Sequence, residues 1–206
     1  MTPAFPARVP PDVLAAAEAI RVDAENGYSR FRGRGDLSTA GILTGIGGIY
    51  LKAQSAMASL QIKAGEDRVA QTARLTAVAF GIDDIAGTNP LDRASAAMTY
   101  RDALDRAGAL DDPSDALLLL QRASDTGDEL LARAIAQQAS SQGLGWDEPL
   151  NVYVSARPNV AQALADLRAM AGPVGAHDLF AFALNRPAEL AGLQDWQIPG
   201  VAVGSA

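Results

Sequence analysis

The stretch that most constrains this fold lies between residues 89 and 141, where three helical segments with clear ends follow one another. Asn89-Pro90 and Asp112-Pro113 each place a short polar side chain before a proline. Such a pair favours a helix start, because the polar side chain accepts an orphan backbone N–H and proline has no N–H to leave unpaired. A glycine, which often takes the left-handed conformation that ends a helix, follows each segment: Gly108, Gly127 and Gly143.

Composition supports the helical prediction. Alanine and leucine dominate the 206 residues, and aromatic residues make up only 5%. This balance favours helices that pack closely through small side chains over a β-sandwich. The length suffices for one large domain or two small ones.

Charge and cysteine content limit the functional classes. The formal net charge of −7 disfavours a nucleic-acid binder, because the phosphate backbone rewards clustered Lys and Arg. The absence of cysteine excludes disulfides, thiolate catalysis and Cys-based zinc sites. Residues 1–10 lack the apolar core of a signal peptide, and the longest apolar run, residues 40–51, is too short to span a bilayer. We therefore expect no membrane partner and a cytosolic location where the chain is made.

We predict an all-α fold, an irregular antiparallel helix bundle or short α-solenoid with a long N-terminal helix and extended terminal arms. Residues 1–36 are assigned to an N-terminal arm, a short helix and a basic loop. Residues 37–80 are assigned to a long helix or a helix pair. A helical array is predicted for residues 81–191 and an irregular C-terminal arm for residues 192–206.

Glycines complicate the first two helices. The short helix is predicted from residue 11 to 25, with Gly27 as its stop. Four glycines between residues 41 and 48 each weaken a helix by about 1 kcal/mol relative to alanine. A phosphate-binding loop would need a preceding strand and a following Lys-Ser or Lys-Thr, and neither is present. We instead interpret Gly41 and Gly45, one turn apart, as the place where another helix approaches closely.

An apolar seam follows the glycines and predicts a long helix that begins at Leu37 or Ile49, ends at Phe80 and is bent or broken at Gly65. Its side chains recur at alternating steps of three and four residues, as in a coiled-coil seam. The seam consists of Tyr50, Ala53, Met57, Leu60 and Ala64.

The later segments differ in which faces they are expected to bury. Residues 90–107 carry Leu91, Met98 and Leu104 near one apolar face. The four leucines at 117–120 cover most of a helix circumference and predict a helix buried between neighbours. Residues 150–156 are consistent with a strand, but their helical neighbours favour a helix. In the segment 128–142 we expect Arg133 to point outward and four apolar side chains to point inward: Leu131, Ala134, Ile135 and Ala139.

Residues 28–36 are predicted to be a loop in which arginines alternate with Tyr28 and Phe31. The functional interpretation is contact with a small anion or a phosphate backbone. The alternative, favoured by the acidic balance of the chain, is a solvated loop whose basic side chains pair with acids elsewhere. The arginines are Arg30, Arg32 and Arg34.

Catalytic chemistry has few candidates in this chain. His177 is the only histidine, and a lone histidine at a helix start is more often structural. Neither a Gly-x-Ser-x-Gly nor a His-Glu-x-x-His pattern occurs. Asp83-Asp84 and Asp111-Asp112 are paired acids, but a calcium site needs more oxygen ligands at fixed offsets. We predict no catalytic residue, no cofactor and no metal site, and a protein that is not an enzyme.

The C-terminal arm combines apolar side chains with Pro199, Gly200 and Gly204, which are predicted to prevent a helix. An apolar segment without regular structure usually docks onto its own protein or onto a partner. We predict that partner binding involves the arm and the basic loop, through Arg30, Arg32, Arg34, Trp196, Ile198 and Val201.

Several segments resemble a family of Ala-rich proteins encoded by actinobacterial phages and prophages. The resemblance covers about half of the chain, and its residues define helices rather than a site. The glycine-rich residues 41–48 depart from the family pattern. The matching segments are YRDALDRA at 100–107, ALLLLQRA at 116–123, TGDELLARA at 126–134, the stretch from Trp146-Asp147 through Tyr153 to Pro158, RPAEL at 186–190 and DWQI at 195–198.

The resemblance implies a virion structural protein of the head or the head-to-tail region. We expect a connector or adaptor subunit that forms a homo-oligomeric ring and contacts the portal or neighbouring virion proteins. Trp196 would anchor the C-terminal arm, and the basic loop would contact DNA non-specifically or an acidic neighbour. The expected location is the virion, and the host cytoplasm during assembly. The alternatives are a minor tail or capsid-associated protein and a cytosolic α-helical protein-binding module.

Overall fold

The computed structural model describes residues 9–143, 145–171 and 180–204. Within these residues the chain forms eight α-helices and no strand, which confirms the all-α prediction. The helices are α1 (Pro11–Arg32), α2 (Thr39–Phe80), α3 (Pro90–Gly108), α4 (Pro113–Thr126), α5 (Glu129–Gln142), α6 (Asp147–Ala156), α7 (Ala161–Ala171) and α8 (Ile198–Ala202). Short 3-10 turns occupy Pro158–Val160, Ala188–Leu190 and Asp195–Gln197.

The chain divides into two compact units. Unit 1 consists of Met1–Val69 and Gly172–Ala206, and unit 2 consists of Ala70–Ala171. Helix α2 therefore belongs to unit 1 up to Val69 and to unit 2 from Ala70. In the part of the chain with described structure, no helix combines the length and apolar character needed to cross a bilayer.

In unit 1, glycines bring α1 and α2 into close contact. Gly27 of α1 lies against Ile49, whose Cδ1 is 2.7 Å from the position that a Cβ on Gly27 would take. Gly45 of α2 lies under the ring of Phe31, which occupies the space of a Cβ at that position. The close approach predicted for Gly45 is therefore confirmed. At Gly41 the three atoms nearest to an added Cβ belong to Leu37 and Ser38 at the start of the same helix, 3.5–3.7 Å away, so no other helix makes the closest approach there.

The core of unit 1 also includes residues from far along the chain. Arg21 of α1 donates from Nε to the Ala183 carbonyl at 3.0 Å and from Nη2 to the Phe180 carbonyl at 3.2 Å. The last described residues then pack against the two helices. The buried members of this core are Ala24, Tyr28, Ile46, Tyr50, Ala53, Leu190 and Ile198.

In unit 2, α5 contacts α3, α4 and α6. Its buried residues are mostly alanines, which let the neighbouring backbones approach closely. The inward face predicted for this helix is confirmed, and Ala132 and Ala136 extend it. Residues 150–156 belong to α6, so the helical interpretation is confirmed there as well.

Most of the predicted helix ends are confirmed. The side chains of Asn89 and Asp112 accept the N–H groups two residues further on, at 3.1 and 2.6 Å. Gly127 and Gly143 follow α4 and α5 with positive φ angles of 70° and 84°. Gly108 is different, because it is the last residue of α3 and a right-handed Ala109 follows it.

Three predicted boundaries are wrong. Helix α1 continues past Gly27 to Arg32, because the packing of Ile49 against Gly27 compensates for the low helix propensity of glycine. Helix α2 is continuous through Gly65, so of the predicted bend or break the break is wrong, since one glycine costs only about 1 kcal/mol within so long a helix. The irregular arm predicted at 192–206 contains α8, where Pro199 occupies the first turn and needs no N–H partner. Residues 1–8 of the predicted N-terminal arm lie outside the described residues.

Two predicted buried faces also differ. On α4, Leu120 is fully buried but Leu118 is 54% exposed, because α5 and α6 cover only part of the helix. On α3, Leu91 and Met98 are 77% and 67% exposed. Leu104 of the predicted face does pack against the core, and the rest of the buried side of α3 is formed by Tyr100, Ala103 and Ala107.

Candidate functional site

Two of the three predicted basic residues are held by acids within unit 1. The Arg32 guanidinium donates to Glu189 at 2.7 and 3.1 Å and to Glu25 at 3.0 Å. The bonds that Glu189 accepts from Arg32 lower the pKa of its carboxyl. Arg34 makes a two-bond pair with Asp36 at 2.7 and 2.6 Å. Pairing with acids elsewhere in the chain is thus confirmed for Arg32, whereas Arg34 pairs within the predicted segment itself.

Arg30 differs from its neighbours because it has no acidic partner among the described residues. Its Nε donates only to the carbonyl of Asn26, at 3.4 Å. Because α1 extends to Arg32, Arg30 projects from a helix rather than from the predicted loop. Its guanidinium therefore stands at a defined position and remains available for a partner.

Arg30 lies at the edge of a groove along the two packed helices, which we call the α1–α2 groove. One part has a volume of about 500 Å³ and is lined by Gly27, Arg30, Phe31, Arg34 and Ile49. A hollow of about 190 Å³ shares Gly27, Arg30 and Ile49 with it. The hollow adds Ile20, Asp23, Ala24, Lys52, Ala53 and Ala56 to the lining.

The groove results from the same glycines that bring the helices together. Because Gly27 and Gly45 have no side chains, Ile49 and Phe31 lie flat between α1 and α2 and form an apolar floor. Two cations, Arg30 and Lys52, and one acid, Asp23, border this floor, and neither cation forms an ion pair with a described acid. An apolar floor with a basic edge suits an amphipathic helix that carries acidic side chains.

The predicted C-terminal contact residues lie in unlike environments. Trp196 is 78% exposed, whereas Ile198 is 1% exposed and Val201 is half-buried. Ile198 packs against the core of unit 1, so only Trp196 offers a large free surface to a partner. The sequence could not distinguish the two, because both are apolar residues in the same short segment.

The most concentrated polar cluster lies in unit 2, where α2 ends. Tyr153 donates to the carbonyl of Ala79 at 2.9 Å, and the Tyr100 hydroxyl lies 3.1 Å from the carbonyl of Phe80. Arg133 donates to the carbonyl of Gly81. The last carbonyls of a helix have no partner within the helix, and a cation near them also interacts favourably with the helix dipole. These side chains therefore cap the C-terminus of α2.

Two acids hold the arginines of this cluster in place. Arg133 pairs with Asp84 through two bonds of 2.6 Å and with Glu129 at 3.1 Å. Arg157 donates from Nε to Glu129 at 2.8 Å. The bond from Arg157, with that from Arg133, lowers the pKa of the Glu129 carboxyl despite its partial burial. Both arginines thus remain paired over the physiological pH range.

One nitrogen of the cluster has no hydrogen-bond partner within the described structure. It is the buried Nη1 of Arg157. The guanidinium carbon of Arg157 lies 4.5 Å from the centre of the Tyr153 ring, and this cation–π contact compensates in part. The cleft beside these groups measures about 500 Å³ and is also lined by Asp83 and Asn159; its arginines bind Asp84 and Glu129.

The sequence indicated little of this cluster. Arg133 was expected to point outward, whereas its side chain is 13% exposed and contacts Gly81 and Asp84. The only local signal was Glu129 at i−4, a common spacing for an ion pair on a helix. Among the described residues, no three acidic or histidine side chains are placed to hold a metal ion. His177 lies outside those residues.

Comparison of the chain with protein-family models, curated proteins and solved structures found no match.

Proposed function

We propose that this protein is a non-enzymatic structural component of a phage virion, and specifically a head-to-tail connector or adaptor subunit that assembles as a ring. One contrast within the protein carries the proposal: its apolar surfaces are free to bind a partner, whereas the polar cluster of unit 2 is occupied by contacts within the fold. The α1–α2 groove and the exposed apolar side chains are suited to binding protein. The polar cluster is engaged in capping α2.

The exposed apolar residues support a role in assembly. Trp196 in unit 1 and the pair Leu91 and Met98 in unit 2 are all more than half exposed. Trp is enriched among the residues that dominate binding energy at protein interfaces, and Met is enriched at interfaces generally. Leu91 and Met98 are seven residues apart and lie on one side of α3, as the anchors of a docking helix do.

The polar cluster supports the non-enzymatic part of the proposal. Each charged side chain in it has an identified structural partner, either another side chain of the cluster or a carbonyl at the end of α2. An active site instead needs titratable groups that remain available to a substrate. The resemblance to phage-encoded Ala-rich proteins adds the setting, which is the virion, and the host cytoplasm during assembly.

A second candidate function is a cytosolic helical module that captures a partner peptide. The α1–α2 groove favours it, because an acidic amphipathic peptide can be bound by that surface without any virion. A minor tail or capsid-associated protein is a further alternative that differs from the leading proposal only in its place in the particle.

Mass spectrometry and electron microscopy of purified particles test the proposal. We expect the protein in intact virions at a fixed ratio to the portal, and we expect a phage lacking its gene to produce heads without tails. A normal yield of tailed, infectious particles without the protein would overturn the connector role. Detection of the protein only in the soluble lysate would favour the peptide-binding module.

A further inference from the structure

Helix α2 has a long middle part in which no side chain is buried. Met57 is the last buried residue before this part, and Ala79 is the next buried residue along the chain. The structure describes every residue between these two, and each is exposed or only partly buried. Even large apolar side chains lie in solvent, with Ile62 64% and Val69 71% exposed. We call residues 58–74 the middle segment of α2.

The two ends of α2, by contrast, are held in cores. Tyr50 is buried in the core of unit 1. Ala79 and Phe80 are buried in the core of unit 2. The division between the units falls between Val69 and Ala70, inside the middle segment. Helix α2 is therefore anchored at both ends and buries no side chain between them.

Little packing stabilises the middle segment. Most of the stability of helices in proteins comes from packing of an apolar face rather than from helix propensity. Within the segment only Leu60, Ala64 and Arg68 are partly buried, and the other residues are exposed. The order of the segment therefore depends mainly on its own backbone hydrogen bonds.

Gly65 weakens the middle segment further. Glycine has a low helix propensity, because it loses more backbone entropy on folding than any other residue. At Gly27 and Gly45 a large side chain from the neighbouring helix fills the space above the glycine and compensates. Beyond the helix backbone itself, no described atom lies within 4 Å of a Cβ added at Gly65. This glycine thus lowers the stability of the helix without a gain in packing.

We propose that the middle segment is a hinge, which opens by losing backbone hydrogen bonds around Gly65 while the cores of both units stay folded. Opening there exposes little additional apolar surface, because the side chains already lie in solvent. Opening at Tyr50 or Phe80 would instead expose buried aromatic rings to water, which is unfavourable. The middle segment therefore opens at a lower free energy than either unit unfolds. The helix is continuous in the folded protein, so the open form is a minor population.

A hinge at this position would let the two units of one copy respond separately to different neighbours. Protein segments that move during binding are drawn from the regions of lowest local stability. This consequence for assembly rests on the proposed function, whereas the hinge itself does not.

Hydrogen exchange of the full-length protein, followed by mass spectrometry, tests the hinge on the timescale of minutes to hours. After correction for intrinsic rates, amides of the middle segment should exchange on the order of 100-fold faster than those of residues 46–57 in the same helix. Amides of α5, in the core of unit 2, should be protected like those of residues 46–57. Equal protection of all three regions would overturn the inference.

Two glycines of α2 provide a matched pair of variants. Gly65→Ala should slow exchange in the middle segment about fivefold, because alanine favours the helix. Gly48 is equally open, with no described atom within 4 Å of an added Cβ, but it lies in the packed part of the helix. Gly48→Ala should therefore leave exchange in the middle segment unchanged. If both variants slow this exchange, or if neither does, the hinge is wrong.

Limited proteolysis gives an independent readout, because trypsin cleaves after Lys and Arg where the backbone opens. Lys63 and Arg74 lie in the middle segment, whereas Arg101 and Arg106 are exposed on the packed helix α3. The first of these sites to be cleaved should be Lys63 or Arg74, and Gly65→Ala should slow that cleavage. Cleavage within α3 before the middle segment is cut would contradict the hinge.

The outcome is distinguishable from that of the proposed function, because the measurements use the isolated protein. If the middle segment exchanges rapidly but the protein is absent from virions, the hinge stands and the connector role fails. If the protein is found in virions but the segment is as protected as its flanks, the hinge is wrong and the connector role stands.

Discussion

The two units stabilise helices by different means. Unit 2 packs an alanine-rich core around α5 and caps the end of α2 with two tyrosines and an arginine. Unit 1 packs α1 against α2 by placing large side chains over glycines, and it completes its core with residues beyond position 189. Different parts of the same helix, α2, belong to the two cores. Being helical therefore does not by itself determine how a segment is packed.

The difference has consequences for how each unit tolerates change. In unit 2, polar groups are buried in part and depend on one another, so the loss of one partner leaves another unpaired. In unit 1, the packing depends on shape at two glycines and on a short C-terminal segment. Substitutions that remove a similar number of atoms should therefore lower the free energy of unfolding by different amounts in the two units.

The largest effect is expected at the C-terminal segment of unit 1. Ile198→Ala should lower the free energy of unfolding of this unit by about 2–5 kcal/mol, because it empties a fully buried site. Val203→Ala, only five residues away, removes an exposed side chain and should change stability by less than about 0.5 kcal/mol. Urea unfolding followed by hydrogen exchange and mass spectrometry separates the two units.

Equal, small effects of these two substitutions would contradict the assignment of Ile198 to the core of unit 1. They would instead favour the sequence-based interpretation, in which the residue is held available for a partner.

An intermediate effect is expected in the polar cluster of unit 2. Glu129→Gln should lower the free energy of unfolding by about 1–3 kcal/mol, because it leaves the mostly buried Arg133 and Arg157 without their shared carboxylate. Asp147→Asn removes the partner of Arg168 in an exposed pair and should cost no more than about 1 kcal/mol. The measurement is urea unfolding of unit 2 at pH 7.

The difference in free energy of unfolding between wild type and Glu129→Gln should depend on pH, which makes the test sharper. The pKa of Glu129 is lowered in the folded protein, chiefly by the bond from Arg157. Its contribution to stability is therefore present above the carboxyl pKa of the unfolded chain, about 4.3, and is lost as the pH falls through the lower folded value. The gap between wild type and Glu129→Gln should narrow in acid. A gap that persists unchanged at low pH would show that the carboxylate charge is not its source.

The smallest net effect is expected at the glycines of α2. Gly45→Ala should destabilise unit 1 by about 1–2 kcal/mol, since a Cβ would collide with the Phe31 ring and overpacking exceeds the gain in helix propensity. Gly48→Ala meets no atom within 4 Å and should stabilise α2 by up to about 1 kcal/mol. Thermal unfolding followed by circular dichroism compares the two. Stabilisation by both would mean that the helices do not approach closely at Gly45.

Much of the fold was predictable because it depends on local signals. The caps at Asn89 and Asp112 act on N–H groups only two residues away. The candidate site was predicted less well. Arg30, Arg32 and Arg34 look equivalent in sequence, yet the acids that engage Arg32 include Glu189, which is 157 residues away. Of these three, only Arg30 is left without an acidic partner in the described structure, and no local pattern distinguishes it from the other two.

By itself, the sequence determined that this protein is helical and where most of its helices begin, because propensity and capping act within a turn or two of the chain. The tertiary structure alone decided which faces are buried, which arginines remain available and that Ile198 belongs to a core. These outcomes depend on groups that meet only on folding, such as the Tyr153 hydroxyl and the Ala79 carbonyl, which are 74 residues apart. The energy of such contacts comes from burial and pairing, and neither can be assigned before the distant partner is in place.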